Sequence, residues 1–130
     1  MKFYYNKSKY LNKKVECDGH KFDSKWERDR YCQLKLLEKT KKISNLELQK
    51  SFELIPTQRE PDKVGKRGGI IKGKVIENSV KYVADFVYKD ENGKLVVEDC
   101  KSEITKTSVY KIKKKLMLQR YGIIIKEVEK

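Results

Sequence analysis

Lys81 to Ser102, KYVADFVYKDENGKLVVEDCKS, decides how the rest of the chain is read. Tyr82 to Tyr88 and Leu95 to Cys100 are rich in β-branched and aromatic residues, and Asp90-Glu91-Asn92-Gly93-Lys94 between them has turn composition, so the stretch reads as a β-hairpin. The turn sets the register. A two-residue turn at Asn92-Gly93 would place Asp85 opposite Cys100. A type I turn at Glu91-Asn92, with Gly93 left-handed as a bulge, places Asp90 opposite Lys94 and Asp85 opposite Asp99. In that even register Val83, Asp85 and Val87 share a sheet face with Val97, Asp99 and Lys101, because side chains alternate. Two carboxylates then stand with Cβ atoms roughly 5 Å apart, a like-charge pair that destabilises the hairpin unless something offsets it. A divalent cation held by both would do so, and Lys101 is placed to hold a phosphate or a water.

After this hairpin, a helix capped by Thr105 or Thr107 is expected to run to Tyr121-Gly122, with Val109, Ile112, Leu116 and Met117 as its buried stripe. Lys111, Lys114 and Lys115 ring its outside, while Lys113 and Arg120 project into the apolar arc, where they either snorkel or, for Lys113, meet a nucleic-acid strand. Ile123 to Val128 reads as a buried strand, joined to Leu95–Cys100 through a β-α-β crossover and therefore parallel to it.

Before the hairpin, Val15 to Phe22 suggests a small hairpin about Asp18-Gly19, and Asp23 or Ser24 caps a helix running to about Lys39. Ser24-x-x-Glu27 has capping-box spacing, but Glu27 also lies on the stripe with Tyr31 and Leu34, which turns its carboxylate toward the sheet. Both readings stand. Leu46 to Pro56 alternates as the first strand of the main sheet, and Gln49 either reaches a water on the metal or sits in the ladder, the second being favoured. Residues 57–79 read as a basic flexible loop, because Lys63 to Lys74 holds four glycines and five basic residues in twelve. Its glycine spacing matches no phosphate-binding motif.

The chain has 130 residues, 32 Lys and Arg against 19 Asp and Glu, and a formal charge of +13. One domain is expected, with nucleic acid as the natural partner. Residues 1–14, where Tyr4, Tyr5 and Tyr10 alternate with lysines, read either as a basic nucleic-acid-binding arm or as a solvated terminus. Cys17, Cys32 and Cys100 lack metal-binding spacing, so neither a zinc site nor a disulfide framework is expected, and a reducing cytoplasm fits. Met1 to Asn6 leads into polar sequence, which predicts neither a signal peptide nor a membrane span.

Asp85 followed by Asp99-Cys100-Lys101 resembles the signature of the PD-(D/E)xK nuclease superfamily, whose fold is that of type II restriction enzymes and archaeal Holliday-junction resolvases. The wider string, including Phe22-Asp23-Ser24-Lys25-Trp26-Glu27 and Tyr110-Lys111-Ile112-Lys113-Lys114-Lys115, resembles a family of small bacteriophage and prophage proteins assigned to that superfamily. The resemblance spans about residues 15 to 128, and Ala84 stands where the superfamily pattern has proline.

It implies an α/β fold with a restriction-endonuclease-like α-β-β-β-α-β core, a mixed central sheet flanked by helices, which is also the order read from the pattern. It further implies a metal-dependent endonuclease on branched or duplex DNA, resolvase-like, working in a bacterial host cytoplasm as a homodimer. Asp85, Asp99 and the Cys100 carbonyl would ligate Mg²⁺, with Mn²⁺ as substitute, Glu27 would complete the shell, and Lys101 would act on the water or the transition state. Lys66, Arg67, Lys72, Lys74, Lys113 and Lys114 are the expected DNA contacts. Glu98 is expected on the opposite face, as the partner of a lysine. The alternative reading is a non-catalytic DNA-binding or host-defence-inhibiting protein that retains the nuclease fold.

Overall fold

The structure is a computed structural model, described for residues 15–129. The basic arm expected over residues 1–14 lies outside the described residues. Strands β1 (Val15–Cys17) and β2 (His20–Phe22) form the small hairpin, turned by Asp18 and Gly19 at φ of 51° and 78°, the positive values that a two-residue turn of this hand requires. Helix α1 (Lys25–Lys39) begins where Ser24 Oγ accepts the Glu27 N–H at 3.1 Å, a cap worth about 1 kcal/mol. Then come β3 (Ser44–Ile55), the short strands β4 (Gln58–Arg59), β5 (Lys63–Val64), β6 (Ile70–Ile71) and β7 (Val75–Glu77), and the long β8 (Val80–Lys89). Strand β9 (Leu95–Cys100), helix α2 (Ser108–Tyr121) and β10 (Lys126–Val128) complete the chain.

The protein is mixed α/β. Its central sheet has the order β10-β9-β8-β3, with β10 parallel to β9 and the other pairs antiparallel. Between β8 and β9, Asp90 N–H donates to the Lys94 carbonyl at 2.9 Å, Gly93 N–H returns to the Asp90 carbonyl at 3.0 Å, and Gly93 sits at φ 78°. This is the three-residue loop, and it sets Phe86 opposite Glu98 and Lys89 opposite Leu95. One step further along the same register, Asp85 comes opposite Asp99.

Each face of the sheet carries its own core. Tyr31 and Leu34 of α1 pack with Phe22, Ile43, Phe86 and Tyr88, whereas Tyr110 and Met117 of α2 pack with Phe52, Leu54, Tyr82, Ala84, Val87 and Val97. Strict alternation would keep Tyr82, Ala84, Phe86 and Tyr88 on one face. They change faces instead, and so do the even positions of β3, with Leu46 and Leu48 on the α1 side and Phe52 and Leu54 on the α2 side. The reversal falls between Leu48 and Phe52 on β3 and between Ala84 and Phe86 on β8. Gln49, at φ 52°, and Asp85 stand opposite one another at that point, since Leu48 pairs with Phe86 and Lys50 with Ala84. A left-handed glutamine costs on the order of 1–3 kcal/mol, so the sheet holds strain where its faces cross over.

Three expectations are corrected. Residues 57–79 are not a loop without elements of their own, because β4 pairs with β7 and β5 with β6 in a two-stranded ribbon. The buried stripe of α2 is rotated: Tyr110 and Met117 are buried, while Val109 and Ile112 face outward. The α2-side core takes the aromatic ring in place of the smaller β-branched residues. The last strand is shorter than Ile123 to Val128, starting at Lys126 after an exposed Ile124 and a buried Ile125. Helix α2 is capped by Thr107 and closed by Gly122 at φ 66°. The three cysteines are free thiols. Among the described residues no helix is long and apolar enough to cross a membrane.

Candidate active site

Asp85 sits where its strand changes faces, and its side chain takes over one bond that the ladder would otherwise make and binds the Gln49 side chain as well. Oδ2 accepts the Cys100 N–H at 3.0 Å, and Oδ1 accepts the Gln49 amide at 3.3 Å. Across the hairpin Asp99 is 3 % exposed. Its Oδ2 accepts the Tyr82 hydroxyl at 2.8 Å, and the Lys101 ammonium lies 3.6 Å away. Lys101 is held over the Tyr110 ring, 4.6 Å from its centroid. The two aspartates and the lysine therefore converge as the even register requires.

Glu27 joins them from α1. It supplies its N–H to the Ser24 cap, but its buried side chain turns inward, where Gln49 Nε2 lies 3.5 Å from Oε1. One amide thus spans Glu27 and Asp85. The ladder reading of Gln49 is corrected: its left-handed backbone leaves the pairing, and its side chain enters the acidic cluster. Sequence reasoning also missed Tyr82. The signal available was its phase, three residues before Asp85 on a strand that does not alternate through.

The acids here are short of positive charge. Burial first, then hydrogen bonding to and repulsion by Asp85, pushes Asp99 up to about 8. Burial first, then the Asp85 and Asp23 charges, pushes Glu27 up to about 7. Burial also drives the Cys100 thiol up to about 12.

The neighbour of Asp99 behaves differently. Glu98 is wholly buried on the other face, where Arg30 donates to both carboxylate oxygens, Nη2 at 3.0 Å, and the Tyr88 hydroxyl donates at 2.6 Å. The expected lysine partner is thus an arginine, whose fork can satisfy two oxygens at once. Of the other expected contacts, Lys66, Arg67, Lys72 and Lys74 lie on the ribbon, away from the carboxylates in the fold. Lys113 is half-buried on α2, and Lys114 is turned to Glu127 on β10.

A family model described as "Protein of unknown function (DUF1064)" matches residues 7–128. The chain belongs to that family. No curated protein and no solved structure matches it.

In this DUF1064 chain the carboxylate cluster fits a hard divalent cation. Asp85 and Asp99 present oxygen donors on facing strands, and a cation between them would offset both the burial and the repulsion that push the Asp99 carboxyl up. Among the described residues no group of three or more His, Cys, Asp or Glu side chains is gathered as a metal cage. The aspartate pair would accordingly supply two ligands and leave the remaining positions to water and substrate, as suits Mg²⁺. The Tyr110 hydroxyl, beneath Lys101, is buried with no hydrogen-bond partner among the described residues. That donor is available to a bound water.

Proposed function

We propose that this DUF1064 protein is a Mg²⁺-dependent DNA endonuclease with a restriction-endonuclease-like core. The observation that carries the reading is the meeting of half-buried Asp85 with buried Asp99, two acids that repel each other, with Lys101 beside them and Glu27 behind. A purely structural carboxylate pair would be expected to find enough positive charge within the protein, as Glu98 does. The order of α1, three antiparallel strands, α2 and a parallel last strand supports the core type. The formal charge of +13 and the basic ribbon support a polyanionic substrate.

In this mechanism Asp85 and Asp99 would hold the ion, with the Cys100 carbonyl as a further oxygen. Bound Mg²⁺ would neutralise charge on the scissile phosphate and acidify a water. Lys101 presents ammonium protons to a phosphate oxygen at the same edge, stabilising the charge that builds in the transition state. Glu27, with its carboxyl poised near neutral pH, holds or releases a carboxyl proton, and Gln49, donating to Glu27 Oε1 and to Asp85, keeps the two acids aligned. Tyr82 fixes the rotamer of Asp99 by its hydroxyl bond.

Plasmid nicking and four-way-junction cleavage, run with Mg²⁺ and with Ca²⁺, test the proposal. Cutting with Mg²⁺ by the wild type and none by Asp99→Ala is the expected result. If the two proteins bind DNA equally and neither cuts any nucleic acid, the enzyme reading gives way to that of a DNA-binding protein with a nuclease fold.

A further inference from the structure

Among the described residues the ribbon of β4 to β7 pairs only with itself, and it leaves the central sheet from the ends of β3 and β8. It is built to keep its shape. Glu60 N–H donates to the Lys74 carbonyl at 2.8 Å, Asp62 Oδ1 accepts the Gly73 N–H at 2.8 Å, and Arg59 Nη1 reaches the Gly73 carbonyl at 3.1 Å. A Cβ at position 73 would run into the Glu60 carbonyl, so only glycine allows the strands this close. At the tip, Gly65 N–H donates to the Gly69 carbonyl at 2.7 Å, Gly68 N–H returns to the Gly65 carbonyl at 3.0 Å, and Gly68 sits at φ 81°. Lys66 and Arg67 occupy the apex.

Behind that apex, Val64 and Ile70 form a cross-strand pair, 78 % and 79 % exposed. An electrostatic clamp needs only lysine and arginine. Two bare aliphatic side chains at the end of a self-supporting ribbon call for an apolar surface to press against. From Lys63 to Lys74 the chain has five basic residues and no acid, so the tips of two copies repel each other, whereas nucleic acid attracts them. The faces of DNA bases are the apolar surface of a polyanion, and they are open to a side chain only where stacking is interrupted. Within an intact duplex, aliphatic wedges must first separate base steps and give up their stacking. At a branch or a break that separation is already made.

We infer that the Val64–Ile70 pair is a wedge that seats on an exposed base-pair face, with Lys66, Arg67 and Lys72 on the flanking phosphates. The substrate class is therefore DNA with an interrupted stack. The inference rests on the DNA-binding part of the function proposed above and not on the cleavage chemistry.

The test uses the full chain in Ca²⁺, with fluorescence anisotropy on a four-way junction and on a matched linear duplex, and 2-aminopurine beside the branch to report unstacking. The wild type should prefer the junction by at least about tenfold, equivalent to about 1.4 kcal/mol, and raise the 2-aminopurine emission. Val64→Thr combined with Ile70→Thr keeps β-branching and hence the strands. It should leave duplex affinity unchanged, bring the preference to within about threefold, and abolish the emission rise. Lys66→Gln with Arg67→Gln should weaken both DNAs alike. A wild type without preference, a threonine variant that keeps both preference and emission rise, or one that dissociates a wild-type dimer would each overturn the wedge. Those outcomes leave the nuclease reading standing, while a wild type that binds no DNA defeats both.

Discussion

Glu98 and Asp99 are consecutive residues on one strand, both buried, and they point to opposite faces of the sheet. On the α1 face, Glu98 meets a guanidinium on both oxygens and a tyrosine hydroxyl besides. On the other face, Asp99 meets a second aspartate, a hydroxyl and an ammonium at 3.6 Å. Burial alone does not separate a structural acid from a candidate ligand. The balance of charge within reach does, because a satisfied pair has nothing to gain from an ion and a repelling pair has much.

Removing the countercharge is the most forceful way to break this contrast. Arg30→Ala strands Glu98 in the interior and should lower stability by about 3–5 kcal/mol, by the same amount with and without Mg²⁺, in denaturant titrations. Asp99→Asn removes the cost of protonating a buried carboxyl that the unfolded chain leaves ionised, and should stabilise the protein in chelator at neutral pH, while reducing cleavage by about 10²–10³-fold or more. If Asp99→Asn destabilises the metal-free protein as Arg30→Ala does, the two acids are alike and the contrast fails.

The pH profile sharpens the same point. Asp99 is shifted from 3.8 to about 8, and Glu27 from 4.5 to about 7, both upward on folding. Between about pH 4 and 8 the unfolded chain has released protons that the folded chain keeps, so these groups make stability fall as pH rises. Their contribution is full below the unfolded values and lost as pH passes the folded ones. Melting curves in chelator should show the wild type losing stability across that window relative to Asp99→Asn, and identical profiles would refute the assigned shifts.

Much of this was legible in the chain. Turn chemistry at Asp90 to Lys94 gave the register, the register brought Asp85 to Asp99, and the Ser24 cap placed α1. The same kind of turn at Gly65 to Gly69 went unread, although Lys66-Arg67-Gly68 repeats the three-residue loop of Glu91-Asn92-Gly93 with glycine in the left-handed position. Four glycines in twelve residues have the composition of a loop, and only the position of Gly68 after Lys66-Arg67 marks a hairpin turn. The reversal at Gln49 and Asp85 was hidden for a different reason. Period-two reasoning assumes that a strand keeps its faces, and nothing in the residue types marks a glutamine that adopts φ 52°. The outward Val109 and Ile112 show the limit for helices, where several rotations of α2 bury comparable surface and the sheet chooses among them.

A divalent ion should act on one side of the contrast only. At about one hundred times its dissociation constant, Mg²⁺ should stabilise the wild type and the Arg30→Ala variant alike by about 2.7 kcal/mol, and Asp99→Asn hardly at all. Thermal melts with increasing Mg²⁺ read this directly. A full shift in the Asp99→Asn protein would move the ion to another site.

The smallest effects come from the two tyrosines that donate to these acids, Tyr88 to Glu98 at 2.6 Å and Tyr82 to Asp99 at 2.8 Å. Tyr88→Phe removes a bond to one half of an ion pair and should cost about 1.5–3 kcal/mol. Tyr82→Phe, in chelator at neutral pH, removes a bond to a carboxyl that keeps its proton up to about 8, so the neutral figure of about 0.5–1.5 kcal/mol applies. If Mg²⁺ binds as proposed, a saturating concentration would displace that proton and make the acceptor a carboxylate, and the cost of Tyr82→Phe should then rise toward that of Tyr88→Phe. The Tyr88 cost should not move. A Tyr82 effect indifferent to Mg²⁺ would mean that Asp99 does not change its charge when the ion arrives, and the aspartate pair would lose its claim to hold one.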